Sequence, residues 1–181
     1  MAKDLFGEPI KVKKTRLEMR LSKHDRGSFS DRLSRLKYIE SISPRNYSLI
    51  SSFEFAALLH EAQSTFVNGE YIATIMLTQA FIEHRLQQYA EIKGASQKEV
   101  RSLNSLLKFF RENKLLNELI IEKIDQLRLK RNPFTHMKPM DYPYSIGQRI
   151  GKELKAPTEF LESDAKEALG LMFTIFELNL Y

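Results

Sequence analysis

Residues 116–136 read LNELIIEKIDQLRLKRNPFTH. Leu116, Ile120, Ile124 and Leu127 recur there at steps of three and four, the spacing of one face of an α-helix. At about 100° per residue, Arg131 falls in the middle of the same stripe. A side chain that is always charged is thus aimed where the pattern predicts burial. Burying a charge is costly unless it is paired or used, so the end of this helix is a candidate site.

The same periodicity extends outward in both directions. Ser51 and Glu54 have capping-box spacing and open a helix with Phe55, Leu58, Leu59, Ala62 and Phe66, which Asn68-Gly69 closes. A second helix is predicted over Glu70–Lys93 with Gly94 as its stop. Ile72, Met76, Gln79, Glu83, Leu86 and Ala90 form one stripe of it, and Ile75, Leu77, Phe81 and Ile82 make other sides apolar, which marks it as the central helix. Ser96 and Glu99 start a third, with Val100, Leu103, Leu106, Leu107 and Phe110. The fourth runs from about Leu115 to Arg131. Residues 137–162 contain Pro139, Pro143, Gly147, Gly151 and Pro157 without a period and read as a long loop. A fifth helix follows Ser163, with Ala165, Leu169, Met172, Ile175, Phe176 and Leu178. The fold class is all-α: an antiparallel four- or five-helix bundle over residues 46–181, since each stripe needs an apolar partner.

Residues 1–45 read as a basic N-terminal arm, with a short helix over 30–40 capped by Ser30. Of the 181 residues, positions 1–37 hold 11 Lys/Arg against five Asp/Glu, while the remainder is close to neutral. Lys11, Lys13, Lys14, Arg16, Arg20, Lys23 and Arg26 have the charge to track phosphates, or simply to solvate a tail. There is no cysteine, which excludes disulfides, thiol catalysis and thiolate metal sites. No apolar run is long enough to span a bilayer and no signal-peptide pattern is present, so a cytoplasmic location is expected. HExxH, P-loop and dinucleotide-binding patterns are missing. His24, His60 and His84 fall on separate segments, so no metal and no cofactor are expected.

Chemistry concentrates at Arg131, Asn132 and His136. Arginine presents a planar fork of donors suited to phosphate or carboxylate. Asn132 precedes a proline, which predicts that the fourth helix stops near Asn132. Asn132 and Pro133 also suit the cap and first position of a new turn, placing His136 fourth, and free amides at such a start favour an anion. Two readings follow. Arg131 can pair with Glu83, the carboxylate within the second helix's stripe, and lock two helices together. Alternatively, Arg131, Asn132 and His136 surround one phosphodiester, with Glu83 as a supporting group.

Arg131-Asn132-x3-His136 at the end of a bundle helix resembles the R-x(4–6)-H signature of the HEPN superfamily, in which a polar residue commonly follows the arginine. The segments His60-Glu61-Ala62, Phe66, Gly69-Glu70-Tyr71 and Phe81-Ile82-Glu83 are similar to the first half of such domains, and the likeness covers residues 50–181. It implies a helical domain that dimerises to form a composite cleft. It also implies a metal-independent endoribonuclease acting by attack of a ribose 2′-hydroxyl, in a toxin–antitoxin or anti-phage defence setting with an antitoxin or defence partner. On that resemblance His136 is the general acid/base, Arg131 holds the phosphate, and Asn132 orients it. The family also contains non-catalytic modules that bind nucleotides, nucleic acids or proteins. The chain departs from the family pattern at Pro133, inside the motif. It departs again at Lys138, where the subgroup paired with nucleotidyltransferase antitoxins has a tyrosine that Tyr142 and Tyr144 do not replace.

Overall fold

The computed structural model describes residues 14–44 and 52–178, and every regular element within them is a helix. The chain is an all-α bundle. Its helices are α1 (Arg16–Ile42), α2 (Phe53–Asn68), α3 (Tyr71–Ile92), α4 (Gln97–Val100), α5 (Leu103–Glu112), α6 (Glu118–Thr135), α7 (Ile146–Glu153) and α8 (Pro157–Glu177). Among the described residues no helix is long and apolar enough to cross a membrane.

α3 is the axis of the bundle. It packs most extensively on α2 and α8, and α5 and α6 complete its enclosure. Ile75, Phe81, Ile82, Leu86 and Ala90 are buried on several of its sides, as its all-round apolar pattern predicts. α2 contributes Leu59, Ala62 and Phe66, and α8 contributes Ala165, Ala168, Leu169, Met172 and Ile175. Phe66, Phe81 and Phe110 are almost wholly withdrawn from water, which stabilises the fold by about 1.5–3 kcal/mol each.

Local signals set most helix ends. Gly69 closes α2 at φ +81°, a left-handed conformation that a side chain disfavours. The cap of α2 is Ser52, whose hydroxyl accepts from the Phe55 amide, whereas Ser51 lies outside the described residues. The Ser96–Glu99 capping box forms but serves only the single turn of α4. Ser102 accepts from the Ser105 amide at 3.2 Å and starts α5 afresh, so the predicted third helix is two.

At the N-terminus the helix begins at Arg16, not at Ser30. Thr15 and Glu18 form a reciprocal capping box, with Thr15 N to Glu18 Oε2 at 2.6 Å and Glu18 N to Thr15 Oγ1 at 3.2 Å. Only the C-terminal part of α1 seats on the body. Ile39 is buried, Arg35 Nε donates to the Val67 carbonyl at 2.9 Å, and Tyr38 Oη donates to the Lys166 carbonyl at 3.3 Å. Leu17, Met19, Leu21 and Phe29 stay exposed. That half of α1 packs no face, so no apolar period marks it in the sequence.

α6 does not stop near Asn132; it runs through Pro133 to Thr135. Proline lacks an N–H, so the Leu129 carbonyl loses its helical donor. The Tyr142 hydroxyl donates to that carbonyl instead, at 3.1 Å. The last turn still closes, with His136 N donating to the Asn132 carbonyl at 3.0 Å.

Residues 137–162 are likewise not a bare loop. Ser145 caps α7, and α8 already begins at Pro157, so Ser163 lies within it. Arg149 of α7 grips the buried Asp164 of α8 through both terminal nitrogens, with Nη2 to Oδ1 at 2.9 Å, and lies 4.7 Å over the Phe160 ring. The segment after His136 is therefore fastened at Tyr142 and again at Arg149.

Tyr142→Phe is expected to lower unfolding free energy in urea by about 1–3 kcal/mol, because it strands a carbonyl that has lost its helical donor. In a Pro133→Ala background the residue 133 amide supplies that donor and the Tyr142→Phe cost shrinks towards zero. A cost unchanged by Pro133→Ala would refute this exchange of donors.

Candidate functional site

Arg131 sits one turn before the end of α6 and points towards α3, half-buried. Its Nε donates to Gln79 Oε1 at 3.0 Å and its Nη1 to Thr135 Oγ1 at 2.9 Å. The Thr135 hydroxyl in turn donates to the Asn132 carbonyl at 3.3 Å. Gln79 is 1% exposed on the central helix, so the guanidinium is tied to a side chain inside the core. The expected Arg131–Glu83 pair is not formed. Glu83 lies one turn further along α3, and Gln79 occupies the position opposite the guanidinium.

Both partners of Arg131 are neutral, and among the described residues no carboxylate lies within ion-pair distance of it. Other half-buried cations of α6 and α7 are neutralised. Arg128 pairs with Asp125 at 2.7 Å, Lys130 with Asp164 at 3.0 Å and Glu167 at 2.6 Å, and Arg149 with Asp164. Burial disfavours the Lys130 ammonium, but hydrogen bonds and charge from Glu167 and Asp164 outweigh it and hold its pKa above the usual lysine value. Arg131 receives no such compensation. It is a half-buried positive charge whose Nη2 bonds to nothing among the described residues.

Asn132 is inside α6 and does not cap a new helix; its carbonyl accepts from His136 N and from Thr135 Oγ1. The predicted cluster of free amides is therefore not there, because the helix continues across the proline. His136 is the exposed C-cap of α6, with extended backbone at φ −139° and ψ 135°. Five helical residues turn a side chain by about 140°. Arg131 thus faces α3, while His136 leaves the helix end into solvent, and no contact joins the two within one chain. Lys14, Arg16 and Arg20 are exposed at the start of α1, while Lys11 and Lys13 lie outside the described residues. His24, His60 and His84 are exposed on α1, α2 and α3. No three His, Asp or Glu side chains gather into a metal-holding group among the described residues.

Sequence reasoning missed Gln79, Thr135 and Tyr142. Gln79 and Glu83 interrupt the same apolar stripe of α3, and charge complementarity alone favours the acid. Thr135 is one helical turn beyond Arg131, a spacing at which side chains meet, but it shows only if the helix survives Pro133. Asp164, set among Ala165, Ala168 and Leu169, was the comparable signal for the clasp on α7.

Because Glu83 is not the counter-ion of Arg131, Glu83→Gln is expected to change stability by less than about 0.5 kcal/mol in chemical denaturation. A loss of several times that amount would restore the Glu83 pairing. A scan of family models, a search of curated proteins and a search of solved structures each return no match to this chain, so its function is read from this geometry.

Proposed function

We propose that this chain is a metal-independent endoribonuclease of HEPN type that works as a homodimer in a toxin–antitoxin or anti-phage defence setting. The observation that carries the reading is Arg131, a half-buried cation held by neutral oxygens alone. A charge kept in that state is costly unless an anion meets it, and the fork suits a phosphate.

In the reaction the 2′-oxygen forms a bond to the adjacent phosphorus while the bond from phosphorus to the 5′-oxygen breaks, leaving a cyclic phosphate and a free 5′-hydroxyl. One imidazole takes the 2′-hydroxyl proton and another delivers a proton to the departing oxygen. A single chain offers one exposed histidine at this helix end, and it is turned away from its arginine. Two chains apposed at the ends of α6 supply two histidines and two arginines to a shared cleft. Arg131 stabilises the charge that builds on the phosphoryl oxygens, and His136 is the group that takes and returns the proton. The exposed basic start of α1 adds backbone contacts without base selection.

Purified protein with mixed RNA in EDTA tests the reading. Wild type is expected to cut, His136→Ala to lose about 10²–10⁴-fold in rate, and Arg131→Ala to fall comparably. Equal cleavage by all three, or none by any, removes the catalytic assignment, and RNA binding without cleavage marks a binding module instead. Removing residues 1–29 is expected to weaken RNA binding chiefly at low salt and to flatten its dependence on salt concentration. An unchanged slope would remove the phosphate-tracking role of the arm.

A further inference from the structure

We infer that Gln79 is a positioning residue whose neutrality keeps the charge of Arg131 available to a phosphate, an inference that rests on the phosphate-binding role of Arg131 proposed above. Arg131 has only donors, so whatever holds its Nε from α3 must present an acceptor. Glutamine and glutamate are the two side chains of this length that do so. Glutamate is the stronger partner, because its bond is charge-assisted, and it brings no amide N–H into the core.

The chain nevertheless has glutamine. Its Oε1 accepts from Arg131 at 3.0 Å, while its buried Nε2 meets no acceptor among the described residues. An orphaned buried donor is destabilising, so the amide is the less stable of the two choices. It is also the only one that holds the guanidinium without cancelling its charge.

Thr135 repeats the arrangement on Nη1 with a hydroxyl oxygen. Among the described residues Nη2 bonds to nothing, which leaves one edge of the fork and the whole positive charge uncommitted. Arg149 shows the opposite use of the same side chain. Both of its terminal nitrogens are spent on Asp164, and it serves as a clasp. Departures from the most stable local choice concentrate at functional sites.

The test is thermal unfolding of the full chain at pH 7 with inorganic phosphate added at constant ionic strength. It compares wild type with Gln79→Glu, Gln79→Met and Arg131→Gln. Wild-type Tm is expected to rise with phosphate, as binding to the folded state requires. Gln79→Glu is expected to be at least as stable as wild type without phosphate, yet to respond weakly, reflecting a fall of about tenfold or more in affinity. Arg131→Gln is expected to show no specific response.

A Gln79→Glu response equal to wild type overturns the inference, as does a wild type that responds no more than Arg131→Gln. Should Gln79→Glu fail to fold, Gln79→Met decides the matter. It keeps the charge and removes the tether, so a full wild-type response in it also overturns the positioning role. RNA cleavage by the same wild-type sample separates the two proposals. Phosphate binding through Arg131 with intact RNA removes the endonuclease reading and leaves the role of Gln79 standing.

Discussion

The enclosure of α3 is the constraint on which the rest of the molecule depends. On the sides of α3 that α2, α5, α6 and α8 cover, buried polar side chains have no solvent to satisfy them. Each one must find its partner inside. Thr74 and Thr78 return their hydroxyls to carbonyls of the preceding turn, at 3.1 Å and 2.8 Å, and Thr74 also meets Thr65 of α2 at 3.1 Å. Arg85 reaches Gln88 on its own helix. Gln79 reaches across to α6 for its partner. Through that bond a buried side chain of the central helix holds the cation near the end of a neighbouring helix.

That arrangement also explains why the bundle was legible in the sequence and its site only in part. Burial of a helix face leaves a period, and the periods at Leu59, Ala62 and Phe66, at Ile124 and Leu127, and at Leu169 and Met172 correspond to buried residues. Glycine at φ +81° and the Ser96–Glu99 box leave equally local marks. The projecting half of α1 leaves none, because nothing covers it. α7 is short and amphipathic over only two turns, and its place is set by a single arginine meeting Asp164 at a distance in sequence.

The site sits between these cases. Arg131 stood out because it is a charge in an apolar stripe, which is a local conflict. Its true partner did not, because two polar residues lie a turn apart on α3 and choosing between them needs the axial register of two helices, which periodicity does not carry. Pro133 misled for a related reason. The preference of residues before proline for extended backbone amounts to little beside a hydroxyl delivered from Tyr142 to the orphaned carbonyl, and that delivery is tertiary.

The substitution of Tyr142 for a backbone amide has a consequence for how portable the motif is. Residues 131–136 are contiguous and look like a cassette. Yet the turn that presents them is held by a tyrosine beyond the proline, by an arginine clasp on α7, and by a glutamine on α3. Copied alone onto another helix, the hexapeptide would break that helix at its proline and leave its arginine unoriented. The unit that holds this turn is discontinuous, and it comes together only after the chain has been made at least as far as Asp164.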